Sequence, residues 1–496
     1  MSLPQRVNDR KLYLRAEEVP EDVRQFIVKM LTVQIQSEYA DAPDRSGSVC
    51  PTVEDKTWLD FQIAQEKEHG LGVSRILRDM GVDPMPLIRE AESSVTVGER
   101  KLDYFRIRME DWVERSMTRV LAERTGGIQS IAGLGASYVP LAVWHAKNYV
   151  DEALGHTAQG NVYARSLVEE GRGNECQAAI EKFYPSCLDI FGGVGTPNEK
   201  RYLELGVKTL SNNQSRLLWI KSLERDLHSL GLAMPAALWK GGRRDYPEET
   251  LAGTGLYLDA SDVPAEQRAP IARVVSGWVQ AKYARQNEFV VFAAPTPEEK
   301  LAVANQYRDE RRWGLHAARM LKALAVDPDP VADESERTRE GGRFKVDFLK
   351  QPMPQEWAPI CVHQLVAARA AQAASLATFG SCLIPLAVWS GIHYEGQAAL
   401  AAVWLQRARA LDRALLHEHG QRVVDAAFPH ALDVFGSDDS ANEAHYCNAG
   451  VKTAANRQVR RIFIDLFARD AAALGLAMPD PSRGKRANYT TELSDS

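Results

Sequence analysis

The chain has 496 residues, of which 45% are hydrophobic and 25% charged, and its formal net charge is −6. Because Lys and Arg are scattered through a mildly acidic chain, no nucleic-acid partner is expected. The first residues lack the apolar core of a signal peptide, and no stretch is long and apolar enough to span a bilayer, so we expect a cytoplasmic protein with no membrane partner. The six cysteines are far apart and predict reduced, mostly buried thiols. The length favours two to four domains.

In chain order, the hydrophobic residues of the first half recur at mixed three- and four-residue steps, which is typical of helices, and strict alternation is absent. Helices are predicted over about 23–39, 54–79, 105–136, 140–170, 174–190 and 197–231. No half contains a convincing set of strands. The fold class is therefore predicted to be all-α, with four long helices and additional short ones in each half.

The sequence repeats itself across its whole length at a displacement of 244 or 245 residues. The repeated segments are YLRAEEVPEDVR (13–24) with YLDASDVPAEQR (257–268), PTVEDK (51–56) with PTPEEK (295–300), YVPLAVW (138–144) with LIPLAVW (383–389), LDIFG (188–192) with LDVFG (432–436), and LGLAMP (230–235) with LGLAMP (474–479). Such a repeat predicts two domains of one fold, 1–245 and 246–496, joined near 239–255.

Four successive long helices of the first half carry carboxylates and histidines at spacings suited to a two-metal site. Ferritin-like four-helix bundles bind two metals with one Glu from each of two helices and a Glu-x-x-His pair from each of the other two. A Glu-x-x-His pair alone is weak evidence of a metal site. Here, however, successive helices carry a Glu, a Glu–His pair, a second Glu and a second Glu–His pair, in the order of those bundles. The predicted metal ligands, which are also the predicted catalytic residues, are Glu38, Glu66, His69, Glu123, Glu152 and His156.

Glu152 and His156 depart from the pattern because they are four residues apart instead of three. Residues four apart still share a helix face, and one extra residue can be absorbed as a π-bulge. Asp151 is the alternative to Glu152 as the fourth-helix carboxylate ligand. Its other assignment is a hydrogen-bond partner that orients a ligand histidine.

The second half lacks nearly all of these ligands. The corresponding residues are Lys282, Glu310, Trp313, Ala368, Gln397 and Ala401. A Lys–Glu pair and a space-filling Trp313 would let this half stand without metal, so we predict a structural role for it. Lys208, Asn212 and Arg216 recur as Lys452, Asn456 and Arg460, and residues kept in both halves are predicted to serve the fold. His145, a lone histidine on an apolar segment, is interpreted as a hydrogen-bonded core residue.

The segments SEYADAP, IAQEKEHGLG, LAERTGG, HTAQG, LDIFGG and GLAMPDP resemble the phenylacetyl-CoA oxygenase (ring epoxidase) family of phenylacetic acid catabolism, within the ferritin-like di-iron superfamily. In that family a metal-bearing subunit pairs with a related subunit that has lost its ligands, and this chain resembles the two fused. The resemblance implies two tandem ferritin-like bundles and a di-iron monooxygenase that uses O₂ as co-substrate. It also implies electrons from NAD(P)H through a flavin and iron–sulfur reductase, and an aromatic or unsaturated substrate carried as an acyl-CoA thioester.

Two other functions fit the same residues. One is a di-iron oxidase of another small molecule, such as an N-oxygenase or a desaturase. The other is a non-catalytic metal-storage or scaffold protein, although storage bundles are usually short single domains. The residues alone leave open the substrate, the choice of iron or manganese, and the oligomeric state, a homodimer included.

Overall fold

The computed structural model describes residues 11–39, 49–93, 109–235, 255–284, 286–337, 353–438 and 440–480. Across these ranges the protein is helical and contains no strand; the only extended pairings are the isolated bridges of Tyr13 with Tyr138 and of Tyr257 with Leu383. The predicted all-α class is confirmed. No helix within these ranges combines the length and the apolar character needed to cross a membrane.

The chain divides into two compact units, one within Arg10–Leu256 and the other within Tyr257–Ser496. The predicted boundary between residues 245 and 246 lies outside the described residues, as does all of the predicted join except Gly255. Each unit is described here by itself.

The first unit is built from ten α-helices and two π-helical segments in its described part. They are α1 (Glu21–Tyr39), α2 (Val53–Asp79), α3 (Met85–Ser93), α4 (Trp112–Thr118), the π-segment Arg119–Glu123, α5 (Arg124–Gly133), α6 (Val139–Tyr149), the π-segment Val150–His156, α7 (Thr157–Glu169), α8 (Gly173–Asp189), α9 (Pro197–Glu204) and α10 (Asn212–Ser229). The first π-segment joins α4 and α5 into one continuous helical rod, and the second joins α6 and α7 into another. Together with α1 and α2, these are the four long rods of the first unit.

The four rods pack around one core because each has an apolar stripe at helical spacing. On α1 the buried residues Val23, Ile27, Leu31 and Ile35 are followed on the same face by Glu38. Thr52 begins α2 with a capping box, in which its hydroxyl accepts from the backbone N–H of Asp55. Because Glu38 lies on the face of α1 that packs against the core, its carboxylate is buried when the helix packs.

One predicted helix is wrong in extent. The stretch 197–231 is two helices, α9 and α10, separated by a turn. Gly206 has φ 68° in this turn, a conformation that favours glycine, and the Ser211 hydroxyl caps α10 by accepting from Gln214 N–H. These two residues end one helix and start the next.

The second unit has its helices in corresponding order. They are α11 (Ala265–Lys282), α12 (Gln286–Ala293), α13 (Pro297–Ala323), α14 (Asp329–Arg337), α15 (Trp357–Ser375), α16 (Ile384–Arg409), α17 (Arg413–Leu415), the π-segment Leu416–Gly420, α18 (Gln421–Asp433), α19 (Ala441–Asn448) and α20 (Asn456–Leu474). Helices α13 and α19 match the bounds of α2 and α9 at a displacement of 244. Helices α15 and α16 are regular α-helices where the first unit has its π-segments.

A polar segment before the last long helix makes the same hydrogen bonds in both units. Lys208 Nζ donates to Asn212 Oδ1, and Lys452 Nζ donates to Asn456 Oδ1. Each asparagine Nδ2 donates at 2.9 Å to a backbone carbonyl 19 residues earlier. The prediction that these residues serve the fold is consistent with this shared geometry.

Candidate metal centre

All six predicted ligands converge inside the first unit. Glu38, His69, Glu152 and His156 have only 3–5% of their surface exposed, and Glu66 and Glu123 are half-buried. Helix α1 contributes Glu38 and α2 contributes Glu66 and His69. The first π-segment ends at Glu123, and the second contains Glu152 and His156. Each of the four long rods therefore supplies at least one side chain.

Glu38, Glu66 and His69 form the first of two ligand groups. Their nearest ligand atoms lie within 4.8 Å of one another. His69 Nδ1 is 3.7 Å from Glu38 Oε2 and 3.5 Å from Glu66 Oε2. These separations are longer than hydrogen bonds and leave room between the atoms for an ion.

Glu66, Glu123, Glu152 and His156 form the second group, again within 4.8 Å. His156 Nδ1 lies 3.4 Å from Glu66 Oε1, 3.8 Å from Glu123 Oε2 and 3.6 Å from Glu152 Oε2. Glu66 belongs to both groups and turns one oxygen to each histidine. Glu152 does likewise, because its Oε1 is 3.6 Å from His69 Nδ1. Glu66 and Glu152 thus each face both histidines.

Four buried atoms in this cluster have no hydrogen-bond partner among the described residues. They are Glu38 Oε2, His69 Nδ1, Glu152 Oε2 and His156 Nδ1. Leaving a buried polar group unpaired costs about 1–3 kcal/mol, more for a charged group. All four atoms face the same interior space, so one set of ligands there would satisfy every one of them.

The outer nitrogens of the two histidines are joined by a chain of hydrogen bonds. His69 Nε2 lies 3.0 Å from Asp151 Oδ2, and Gln65 Nε2 donates to Asp151 Oδ1 at 3.2 Å. Gln65 Oε1 lies 3.1 Å from His156 Nε2. With Nε2 as the donor in both rings, each Nδ1 keeps its lone pair directed inward, as a metal ligand requires. The structure thus places Asp151 outside the ligand cluster and Glu152 inside it.

Sequence reasoning missed the glutamines that hold this cluster. Gln65 connects the two histidines, Gln34 Nε2 donates to Glu38 Oε1 at 2.5 Å, and Gln62 Nε2 donates to Glu123 Oε1 at 2.6 Å. Only the Gln34–Glu38 pair carries a local signal, an i,i+4 spacing. The other contacts join different helices and depend on their packing.

The extra residue between Glu152 and His156 is absorbed as predicted, by the π-segment Val150–His156. A π-turn contains one residue more than an α-turn, so residues four apart take the relation that residues three apart have in an α-helix. Gly126 makes room for this arrangement, because a Cβ there would lie 3.0 Å from Glu152 Cδ and Oε2. The bulge and the glycine together set the position of the Glu152 carboxylate.

Crowded carboxylates shift the pKa values of the cluster. Burial, with Glu152 and Glu38 nearby, raises the pKa of Glu66 well above its usual range, and burial raises that of Glu152 to about 7. Burial alone would lower the pKa of His156, but Glu123 and Glu152 outweigh it and raise the value to about 11. Asp151, Glu38 and Glu66 likewise outweigh burial and raise the pKa of His69. The site therefore attracts positive charge strongly.

A cavity of about 260 Å³ connects His156 with the surface. Gln62 and Gln65 line it on the inside. Its rim carries exposed apolar side chains, namely Trp58, Phe61, Leu154 and Val162. The cluster is therefore reached from outside through an apolar opening.

At the corresponding place in the second unit, the residues that replace the ligands contact one another directly. Lys282 Nζ donates to Glu310 Oε2, and Gln397 Nε2 donates to Glu310 Oε1. Trp313 occupies the position of His69, and a Cβ at Gly396 would collide with its ring at 1.8 Å. The predicted Lys–Glu pair and the space-filling role of Trp313 are confirmed. Both ligand groups found among the described residues lie in the first unit.

The interpretation of His145 as a hydrogen-bonded core residue is only half right. It is buried as expected, but neither ring nitrogen has a hydrogen-bond partner within the described part of the chain. Burial lowers its pKa to about 3, so the ring is neutral at pH 7.

The first unit thus contains a buried cluster of four carboxylates and two imidazoles that could hold metal ions. No protein-family model matches the chain, and no curated protein matches it either.

Proposed function

We propose that the first unit binds two iron ions and that the protein is a di-iron monooxygenase. The observation that carries the proposal is the set of four buried, unpartnered ligand atoms directed at one interior space: Glu38 Oε2, His69 Nδ1, Glu152 Oε2 and His156 Nδ1. Hydrogen bonds within the protein would satisfy such atoms. Here each histidine Nδ1 lies 3.6–3.7 Å from a facing carboxylate oxygen, beyond hydrogen-bond distance, and a metal ion between them would satisfy both atoms.

Charge and ligand type favour two divalent ions. The four glutamates carry four negative charges when ionised, which two divalent cations balance. Carboxylate oxygens with imidazole nitrogens suit iron or manganese, whereas cysteine, the ligand of softer metals, is absent from both ligand groups. Glu38 and His69 would hold one ion, Glu123 and His156 the other, and Glu66 and Glu152 would be shared.

Bound iron would supply O₂ binding and electron transfer for inserting one oxygen atom into a substrate, while the reductase would supply the two electrons that reduce the other oxygen atom to water. The protein's own side chains orient and enclose this chemistry. Asp151 and Gln65 hold both imidazoles with Nδ1 inward, and Gln34 and Gln62 fix the outer carboxylates. Exposed apolar side chains surround the opening beside His156.

Two tandem ferritin-like bundles are part of the proposal. Four long rods surround the site in the first unit, each carrying a ligand at the level of the others. In the second unit the helices follow the same order at a displacement near 244, with Lys282, Glu310 and Trp313 in place of the ligands. We assign the second bundle a structural role towards the first.

The substrate and electron source follow from the family resemblance. We propose an aromatic or unsaturated substrate, carried as an acyl-CoA thioester, and epoxidation or hydroxylation as the reaction. Electrons would come from NAD(P)H through a flavin and iron–sulfur reductase. The apolar rim of the opening agrees with an apolar reacting group.

Iron loading tests the metal site first. The full chain, loaded with Fe²⁺ without oxygen and desalted, should retain about two iron ions per chain. Glu66→Ala should lose most of the iron, because Glu66 belongs to both ligand groups, and His69→Ala should lose at least the ion assigned to Glu38 and His69. Glu310→Gln, at the position of Glu66 in the second unit, is the matched control and should leave iron content unchanged. Retention of fewer than about one iron, or unchanged iron in Glu66→Ala, would contradict the assignment.

Oxygen labelling tests the reaction. With a reductase, NAD(P)H and a panel of aromatic acyl-CoA thioesters, turnover under ¹⁸O₂ should give a product carrying one labelled oxygen. Substrate-dependent O₂ consumption with an unlabelled, dehydrogenated product would instead identify a desaturase. Iron oxidation with no dependence on any organic substrate would identify metal storage.

A further inference from the structure

The second unit contains a cavity of about 260 Å³ where the first unit has its metal ligands. Ala368 stands at the position of Glu123, and Gln397, at the position of Glu152, bonds to Glu310. Both Ala368 and Gln397 line this cavity. Loss of the larger ligand side chain at Ala368 has therefore opened space that the neighbouring residues have not filled.

One wall of the cavity is an alanine face of helix α15. Ala367, Ala371 and Ala374 line the cavity at i, i+4 and i+7 and remain half-exposed, although most of the helix around them is buried. Four aromatic residues also line the cavity, namely Trp278, Tyr307, Trp404 and Phe435. A cavity lined by alanines and aromatic rings fits an apolar aromatic molecule.

The charged groups that line the cavity are already paired. Glu310 accepts from Lys282 and from Gln397, and Lys452 donates to Asn456. Burial lowers the pKa of His363 to about 4, so that ring is neutral at pH 7. Asn456 is a neutral partner, but the Glu443 carboxylate is near enough to act on the Lys452 charge, so each charged group in the lining has an opposite charge nearby.

One polar group on a side chain that lines the cavity lacks a hydrogen-bond partner within the described residues. Tyr307 lines the cavity, and its hydroxyl oxygen is buried without a hydrogen-bond partner among the residues that the structure describes. A phenol donates readily, and a buried donor without an acceptor is unfavourable. A ligand oxygen within reach would supply the missing acceptor.

We infer that the second unit binds a small, uncharged aromatic molecule in this cavity, with an oxygen of the ligand accepting a hydrogen bond from Tyr307. Cavities of roughly 150 Å³ already hold benzene, so about 260 Å³ accommodates a substituted single ring. The site is independent of the metal cluster and assigns the second unit a binding role in addition to its structural one.

Three probes of one shape test the inference on the full chain. Acetophenone carries a neutral carbonyl, ethylbenzene lacks it, and benzoate is charged. By calorimetry at pH 7, acetophenone should bind with a dissociation constant of about 0.1–1 mM, ethylbenzene several-fold more weakly, and benzoate least. Absence of saturable acetophenone binding, or tighter binding of benzoate, would overturn the inference.

Two substitutions locate the site. Ala374→Leu fills the cavity and should weaken acetophenone binding more than tenfold, while the matched Ala158→Leu, in the surface cavity of the first unit, should leave it unchanged. Tyr307→Phe should weaken acetophenone binding about fivefold and leave ethylbenzene unaffected. Binding that Ala374→Leu leaves intact would place the ligand elsewhere and refute the inference. Should that variant fail to fold, an unchanged preference for acetophenone in Tyr307→Phe refutes it equally.

Discussion

Asp151→Asn is predicted to weaken metal binding although the side chain keeps its size and shape. The Asp151 carboxylate accepts two hydrogen bonds, from His69 Nε2–H at 3.0 Å and from Gln65 Nε2–H at 3.2 Å. An asparagine has a single acceptor oxygen, so one of the two donors must face an NH₂ group. His69 or Gln65 then loses its partner, and the inward direction of a ligand lone pair is no longer fixed.

The size of the effect follows from burial. An unpaired buried donor costs about 1–3 kcal/mol, but Asp151 is 33% exposed, so water can reach the gap and the lower part of that range applies. We expect about a tenfold loss of affinity, equivalent to about 1.4 kcal/mol, at the lower end of what altered partners of metal-binding histidines usually cause.

A chelator competition titration with Co²⁺ measures this loss under anaerobic conditions. Asp60→Asn, which neutralises an exposed acid on the same helix as His69, is the control and should leave affinity unchanged. Because Gln65 contacts both Asp151 and His156, the Gln65→Ala and Asp151→Asn effects should be less than additive in the double variant. Equal affinities of Asp151→Asn and the unaltered protein would refute the hydrogen-bond chain as the device that orients the histidines.

Three further predictions concern stability, measured by urea unfolding. Gly133→Ala should lower the free energy of unfolding by about 3 kcal/mol, because the new Cβ would lie 1.9 Å from His145 Cδ2. Gly277→Ala is the control: its Cβ would meet no atom within 4 Å, so this variant should be as stable as the unaltered protein or more stable. The pKa of His145 is about 3 in the folded protein and about 6.5 in the unfolded chain, so its stabilising contribution is complete above pH 6.5 and decreases as the pH falls. Lowering the pH from 7 to 5 should therefore reduce the free energy of unfolding of the unaltered protein by about 2 kcal/mol more than that of His145→Leu. Lys282→Met leaves the Glu310 carboxylate with Gln397 but without a counter-charge and should lower the free energy of unfolding by about 3 kcal/mol. Adding Glu310→Gln should restore most of this loss, and a double variant no more stable than Lys282→Met would contradict the pairing.

The sequence predicted the helices well where the signal is local. Apolar periodicity placed the four long rods, and the repeat directed attention to the residues that differ between the halves. The break between α9 and α10 was missed although Gly206 and Ser211 signal it.

Contacts between helices were harder to predict from the sequence. Gln65 and Gln62 could not be assigned from sequence, since their partners Asp151 and Glu123 lie on other helices and the register between helices decides the pairing. The cavity of the second unit was missed for a related reason. Whether a lost side chain leaves a space or is replaced by a neighbour depends on packing, and Trp313 and Ala368 show both outcomes in one unit.

Comparison of the two units explains what maintains the bulged helix of the first. A π-segment gives up regular α-helical hydrogen bonding and persists where surrounding contacts require it. At the positions of Glu123, Glu152 and His156 the first unit is π-helical, while α15 and α16 of the second are regular at the matching residues Ala368, Gln397 and Ala401.

The backbone contact beside the site is the same in both units. Trp144 Nε1 donates to His69 O at 3.1 Å, and Trp389 Nε1 donates to Trp313 O at 3.2 Å. This contact therefore forms with or without the bulge. What differs is the presence of ligand side chains, so the π-segment is explained by the need to bring Glu152 and His156 to the same point as Glu66.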